Sequence, residues 1–474
     1  MPEPDIEKLV DTDSELDPNE GIEKQENTYG ISDEDIDEII DALHHGYEEA
    51  VVEKISTLNA ADGADLISKI EEEDRESLLS EHGVAFTAEM FAELQEDIRK
   101  SVLENMSPHQ IAEIIKDLDS DDALDLIINL DEEFQTQIMK KLSSKMRLAL
   151  EEGLSFPEDS AGRLMQREFV AVPQFWTVGK TIDYLREGSK TLPDEFFDIF
   201  IVSPNHHVVG EIPLNKLIRS KRTDKLDTLA INDAHHIPAM MDQEEVAQIF
   251  RRENLTSAPV VDENDRLIGV ITIDDIVDVI DEEAQEDLLK LAGVDSGDIY
   301  GAAFKTSYSR FRWLFINLLT AILASLVIGM FEATIEQVVA VAILMPIVAS
   351  MGGNAGTQAL TVAVRSLSMK AVSRSNALRI IWKETIVGIL NGVVFAIIMG
   401  IFTALWFTSP LLGSVIATAM IINLIIAGLF GAGIPIVLDH MGSDPAVSST
   451  VILTTVTDIV GFFVFLGLAG LVLL

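Results

Sequence analysis

One aspartate lies deep in an apolar stretch near the end of this chain. Asp458 sits about a dozen residues into Val447–Leu474, and no Lys or Arg lies within the core of that or any comparable stretch to neutralise it. A carboxylate in such surroundings is costly and usually faces a water-filled path or a partner. With no basic residue at hand, a cation is the natural counter-charge; the alternative is a protonated or hydrogen-bonded structural Asp. Thr450, Thr454, Thr457, Asp458 and Gly461 recur at steps of three and four, which predicts one polar helix face of the kind that lines a pore. A second polar run follows Pro346 and reads Met351-Gly352-Gly353-Asn354-Ala355-Gly356-Thr357-Gln358. Three glycines with Asn and Gln at mid-membrane depth predict a broken or loosened helix, tolerable only where it lines a cavity or packs tightly. The glycines by themselves fit close helix packing equally well. Asn354, Thr357, Gln358 and Thr361 favour a pore, with Gly352 and Gly353 in its lining.

Other acids gather far from these stretches. The segment after Thr272 carries Asp275, Asp278, Asp281, Glu282, Glu283, Glu286 and Asp287. Helical spacing sets Asp275 with Asp278, and Glu283 with Glu286 and Asp287, along one face. Like charges so arranged destabilise a helix unless neutralised, and hard divalent cations with oxygen ligands would do so. A solvated acidic face is the competing reading. Asp121 and Asp125, one turn apart, give a weaker signal of the same kind.

The charge is unevenly distributed. The chain of 474 residues has a formal net charge of -44, yet residues 306–474 hold seven Lys/Arg against six acids, a net of +1. Residues 1–305 therefore carry -45. Charge of that sign repels phosphate backbones and argues against a nucleic-acid partner. The absence of cysteine excludes thiol catalysis, disulfides, Cys-type zinc sites and iron–sulfur clusters. Met1–Asn27 is acidic without an apolar segment, so no signal peptide is expected. Five apolar segments reach spanning length: Phe311–Phe331, Val338–Val364, Leu378–Phe407, Leu411–Leu438 and Val447–Leu474. Lys305, Arg310 and Arg312 precede the first, and Arg365, Lys370, Arg374, Arg379 and Lys383 fill the loop after the second. Basic loops stay inside, so the N-terminal half is expected in the cytoplasm and the C-terminus outside, in a multi-pass protein of the cytoplasmic membrane in contact with lipid.

Residues 1–30 read as an acidic disordered extension. Residues 31–153 show helical periodicity cut by short breaks, which predicts stacked helical hairpins. From Leu164 to Lys290, β-branched strands alternate with amphipathic helices, and a repeat is visible. Ile201-Val202…Val209-Gly210…Leu214 returns 59 residues later as Val260-Val261…Ile268-Gly269…Ile273. The ending Gly269-Val270-Ile271-Thr272-(x)-Asp274-Asp275 resembles CBS domains, which work as pairs, here 164–225 and 226–290. Such pairs often bind adenine nucleotides; no motif in this chain secures ATP or AMP. Residues 291–310, helical over Tyr300–Arg310, would link the module to the transmembrane segment 311–474.

From Ile31 onward the chain resembles the MgtE family of magnesium channels and transporters. The matching phrases are Pro346 with Gly352-Gly353-Asn354-Ala355-Gly356-(Thr)-Gln358, Gly442-(x)-Asp444-Pro445-Ala446, Thr457-Asp458-(x)-(x)-Gly461, and Pro157-Glu158-Asp159-(x)-Ala161-Gly162-(x)-Leu164-Met165. The resemblance implies a multidomain integral membrane protein with an all-α superhelical N domain, an α/β CBS pair, a connecting plug helix and five transmembrane helices. It implies a homodimer whose pore is lined by the second and fifth spans, with Asp458 as the pore acid. Mg²⁺ would be both cargo and regulator, closing its own path from the cytoplasmic side. The family's regulatory sites fall on Asp275, Asp278, Glu283, Glu286 and Asp287, and in the helical domain on Asp121 and Asp125. Asn254 stands where some members carry a sensing acid, which predicts one weakened regulatory site. The rivals are transport of Co²⁺ or Mn²⁺, transport coupled to H⁺ or Na⁺, and a membrane-tethered sensor. An enzyme is the remotest reading, because the spans offer no nucleophile–base pair.

Overall fold

A computed structural model of the chain describes residues 30–188, 192–193, 195–231, 235–294, 303–373 and 375–474. The acidic extension expected over residues 1–30 lies, except for Gly30, outside the described residues, as do residues 295–302 of the expected connecting stretch. The described residues form two compact units, one within 30–158 together with 165–169 and one within 159–164 together with 170–474.

The first unit is a string of short helices from Asp33–His44 to Ser144–Ser155. Their starts are written in the sequence. Ser32, Asn59 and Ser143 each accept a backbone N–H of the following turn, and Ser107 forms a capping box with Gln110 ahead of Pro108. Helices this short are marginal alone. They are held by one continuous core that includes Ile55, Leu66, Phe91, Leu103, Ile111, Ile127 and Leu150. Helix α1 (Ser120–Ile128) carries Asp121 and Asp125.

In the second unit the repeat becomes two matched sheets. Strands β1 (Ala171–Pro173), β2 (Asp198–Val202) and β3 (Val208–Pro213) lie in that order, β1 parallel and β3 antiparallel to β2. Strands β4 (Ile237–Pro238), β5 (Ser257–Val261) and β6 (Leu267–Thr272) repeat the arrangement. Even the irregularities coincide: the register shifts at Ile201/Val202 and again at Val260/Val261, 59 residues on. The two halves meet through repeat-equivalent residues. Ser257 Oγ donates to the buried Asp198 carboxylate at 2.7 Å, and His207 bridges to Arg266. The pair is thus a pseudo-symmetric unit, as expected for CBS domains. Helices α2 (Gln243–Glu253) and α3 (Ile273–Ala292) pack against each other, α3 also against β6, and α3 starts with a capping box between Thr272 and Asp275. Gly293 ends α3 in the left-handed conformation, φ 71°. Met241 O and Ala239 O accept the backbone N–H groups of Ala161 and Gly162, which fixes that part of the linker phrase on the second repeat.

Among the described residues, five helices have the length and composition to cross a membrane. They are α4 (Ala303–Gly329), α5 (Val339–Ser368), α6 (Ala377–Trp406), α7 (Pro410–His440) and α8 (Pro445–Leu473). The expected plug is not a separate helix among the described residues. Leu291 and Ala292 finish α3, and Ala303 to Arg310 are the first turns of α4 itself. The second span also departs from expectation, because α5 runs unbroken through Pro346 and the glycines. An intact helix keeps its backbone hydrogen bonds in an apolar medium, and two of the glycines serve contact instead. A Cβ on Gly352 would strike the Asn423 side chain, and a Cβ on Gly431 of α7 would lie 2.6 Å from Gly356 O. A Cβ on Gly353 meets nothing within 4 Å. Gly352→Ala should therefore lower the melting temperature in detergent, at a cost of about 1–3 kcal/mol for overpacking. Gly353→Ala should leave it within about 0.5 kcal/mol of wild type. Equal effects of the two substitutions would contradict this packing.

Candidate ion path and acidic regulatory faces

Helical rotation sorts the polar residues of α5 and α8 into two sets. On α5, Asn354, Thr357, Gln358 and Thr361 are exposed on the outside of the single-chain bundle, while Gly352, Gly356, Ala359, Leu360 and Ala363 are buried. On α8, Thr450, Thr454 and Asp458 stand one turn apart and are half-buried. Thr457 and Gly461 turn inward with Leu453 and Phe465. The stripe expected on the fifth span is thus narrower than its spacing suggested. Gly352 and Thr457 leave the expected lining: Gly352 is packed against Asn423, and Thr457, 0% exposed, donates its hydroxyl to Leu453 O at 3.1 Å. Gly353 remains half-buried beside the open face.

The hydroxyls on the open face share one chemistry. Thr357 donates to Gly353 O at 2.9 Å, Thr361 to Thr357 O at 2.9 Å, and Thr454 to Thr450 O at 3.0 Å. A hydroxyl whose proton is given to its own helix presents only lone pairs outward. Asn354 Nδ2 is directed at Ser350 Oγ, 3.4 Å away, so its carbonyl oxygen is likewise the outward acceptor. Among these acceptors Asp458 makes no hydrogen bond or ion pair to a described residue. The face can attract and solvate a cation; it has no cationic group with which to hold an anion.

Sequence reading missed Asn423 on α7. It is 1% exposed, donates Nδ2 to Val348 O at 2.8 Å, and sits between Gly352 and Gly461. Its Oδ1 has no hydrogen-bond partner among the described residues. The Gly352 and Gly461 positions were the available signal, since both are small where a polar side chain must fit.

The acids outside the spans are engaged one by one. Asp275 accepts from Thr272 Oγ1 at 2.8 Å, Glu283 from Gln243 Nε2 at 2.8 Å, and Asp287 from Ser368 Oγ at 2.6 Å. Glu286 pairs with Lys290 at 2.7 Å. Asp278 lies on the same helix, with an interaction of its own. In the helical unit Asp125 pairs with Arg99 at 2.5 Å, and Asp121 accepts from Asp122 N. No three His, Asp or Glu side chains among the described residues converge closely enough to hold a metal ion. The structure nevertheless gathers acids that spacing did not reveal. Burial, then the neighbouring Glu286, Glu244 and Asp242 carboxylates, raise the pKa of Glu283 against the opposing Gln243 bond. Glu244 on α2 is raised in the same way by burial, Asp242 and Asp287, with Lys370 opposing. Asn254 ends α2 in the left-handed conformation, φ 55°, which Asn tolerates far better than Glu. Its identity thus has a backbone reason.

One further displaced carboxyl lies in the CBS pair. Burial, and secondarily Asp198, push Glu211 from 4.5 to about 7.

These features describe a multi-pass membrane protein whose bundle bears a cation-attracting face and whose second and fifth spans adjoin a CBS pair. The family model described as a divalent cation transporter, MgtE, matches residues 345–468; the MgtE intracellular N domain matches 58–159, and a CBS domain matches 228–282. The magnesium transporter MgtE of Bacillus subtilis is 33% identical over 317 residues, 67% of this chain and 70% of that one. Its counterpart in Thermus thermophilus is 32% identical over 332 residues, 69% of this chain and 73% of that one. The solved cytosolic domain of the Mg²⁺ channel MgtE in complex with ATP is similar over 52% of this chain and 99% of that one, at 27% identity and a TM-score of 0.47. The chain belongs to the MgtE family.

The Glu211 shift has a signed consequence. An acid with a higher pKa folded than unfolded binds its proton more tightly when folded, so stability is lost as pH rises from 4.5 to about 7 and is level above that. At about pH 8, Glu211→Gln should slow hydrogen exchange of the β3 amides relative to wild type. Near pH 4.5, where Glu211 is largely neutral, the difference should nearly vanish. A difference of the same size at both pH values would contradict the assignment.

Proposed function

We propose that this protein conducts Mg²⁺ across the cytoplasmic membrane along the face of α5 and α8, and that cytoplasmic Mg²⁺ closes the path. The observation that carries this reading is Asp458, an acid without a partner among the described residues, on a face of hydroxyl and amide acceptors. The magnesium transporters to which the chain is similar support the choice of ion. Mg²⁺ gives up its waters reluctantly, and one carboxylate amid neutral acceptors suits a hydrated ion better than a dense cage would. The polar face lies on the outside of the single-chain bundle, where contact with lipid would be costly. A homodimer covering that face with its own copy would enclose the path. The basic residues before α4 and between α5 and α6 favour a cytoplasmic N-terminal half.

Closure would come from the acids. Burial and neighbouring carboxylates already raise the proton affinity of Glu244 and of Glu283, and Mg²⁺ would relieve that repulsion together with the charges of Asp275, Asp278, Asp287, Asp121 and Asp125. Shifting an equilibrium from 1:99 to 99:1 needs a preference of about 10⁴, so about four sites each favouring the closed form ~10-fold are required. Closure should then be steeply cooperative.

Asp458→Asn should leave the protein folded and cut Mg²⁺ flux into proteoliposomes by about tenfold or more, a loss that ~1.4 kcal/mol of attraction suffices to cause. Wild-type flux in Asp458→Ala would refute the path. Competing Co²⁺ and Mn²⁺ in the same assay reads the choice of ion, and an imposed pH gradient that drives uptake would indicate coupling. In excised patches, current should fall cooperatively as cytoplasmic Mg²⁺ rises through the millimolar range. Current indifferent to Mg²⁺ would reduce the acidic faces to solvated surface.

A further inference from the structure

The far end of α3 is fastened to two membrane helices by side chains at their ends. Lys290 Nζ lies 2.7 Å from Glu286 Oε1 and 2.9 Å from Asp444 Oδ2. Asp444 is also the N-cap of α8, its Oδ1 accepting from Ala446 N at 2.8 Å. Around this pair, Ser368 Oγ at the end of α5 donates to Asp287 Oδ2 at 2.6 Å, and Thr450 Oγ1 donates to Leu291 O at 3.1 Å. Gln248 Nε2 of α2 donates to Ser368 O at 3.2 Å. Leu291 packs against the cluster of Leu360, Val364, Ala446 and Leu453.

An ammonium beside a helix N-terminus is ordinarily unfavourable, because that end carries partial positive charge. Asp444 resolves the conflict, capping the helix with one oxygen and pairing with Lys290 through the other. Two carboxylates, Glu286 at 2.7 Å and Asp444 at 2.9 Å, favour the charged form of the Lys290 ammonium.

We propose that Lys290 is a positioning residue, an internal ammonium clasp that joins Glu286 on α3 to Asp444 at the start of α8 and holds α8 to the CBS pair without a divalent ion. Asp458 lies fourteen residues along the same helix from Asp444, about 21 Å at ~1.5 Å per residue. Holding the cap fixes the depth of that carboxylate. The clasp does not run through the chain segment that joins α3 to α4, so it couples the two parts of the unit by a second route. Its effect on transport, though not its existence, rests on the ion path proposed above. It also gives Glu286 a role apart from Glu283 and Asp287, since an ammonium already neutralises it.

The absence of cysteine makes the clasp directly measurable. Arg252→Cys on α2 and Met441→Cys before α8, both at exposed positions, would carry nitroxides in the full chain, diluted with unlabelled chain so that pairs within one molecule are read. In EDTA the distance distribution should be narrow with Lys290 intact and with Lys290→Arg, and broad with Lys290→Gln. Asp444→Asn supplies a second probe, because Asn caps a helix about as well as Asp yet has no charge for Lys290; it too should broaden the distribution. In proteoliposomes both broadening variants should lower Mg²⁺ flux several-fold, and Lys290→Arg should restore it. A narrow distribution in Lys290→Gln or Asp444→Asn, or a broad one for wild type in EDTA, overturns the clasp. If flux ignores internal Mg²⁺ while the distances behave as expected, Mg²⁺ gating fails and the clasp stands.

Discussion

The membrane half is organised by the cost of leaving a polar group without a partner in an apolar medium. That cost keeps α5 an unbroken helix through Pro346 and its glycines, and it turns the threonine hydroxyls back onto their own carbonyls. It also explains why Asn423, buried in α7, reaches across to Val348 O. Asp458 breaks the rule within the described single chain. A carboxylate so placed needs something from outside the chain, and a cation in water is the simplest supply.

The same constraint makes small residues structural. Where Gly352 and Gly461 flank Asn423, and where Gly431 lies on the Gly356 backbone, a larger side chain would push helices apart and strand the polar groups between them. The half outside the spans meets the converse problem. There water is plentiful and the difficulty is like charge, which α2 and α3 manage by placing Gln243 and Lys290 among their acids. The seam between the halves combines both solutions, an apolar cluster around Leu291 and an ion pair at Asp444.

Much of this was legible in the residues. The 59-residue repeat anticipated the matched sheets, down to equivalent bulges at Ile201/Val202 and Val260/Val261. Each span begins and ends within several residues of its expected limits, apart from the additional turns before Phe311. What escaped was what depends on neighbours distant in sequence. Steps of three and four cannot say which edge of a stripe faces a neighbouring helix, so Thr457 and Gly352 were placed in the lining although they pack inward. Asn423 and Lys290 act through partners 75 and 154 residues away, Val348 and Asp444, and spacing within one helix is blind to both. Asn254, read as a lost acid, is explained by a left-handed backbone that no side-chain pattern displays.

The central claim is that the outer face of α5, not the apolar face of α6, borders water. Single cysteines at Asn354, Thr357 and Thr361, with Leu390 and Ile397 of α6 as exposed apolar controls, put that claim to the test in a chain that has no cysteine of its own. A charged, membrane-impermeant thiol reagent should modify the α5 positions and block Mg²⁺ flux into proteoliposomes, while the α6 positions stay unmodified. Unreactive α5 cysteines, or modification that leaves flux intact, would contradict the account.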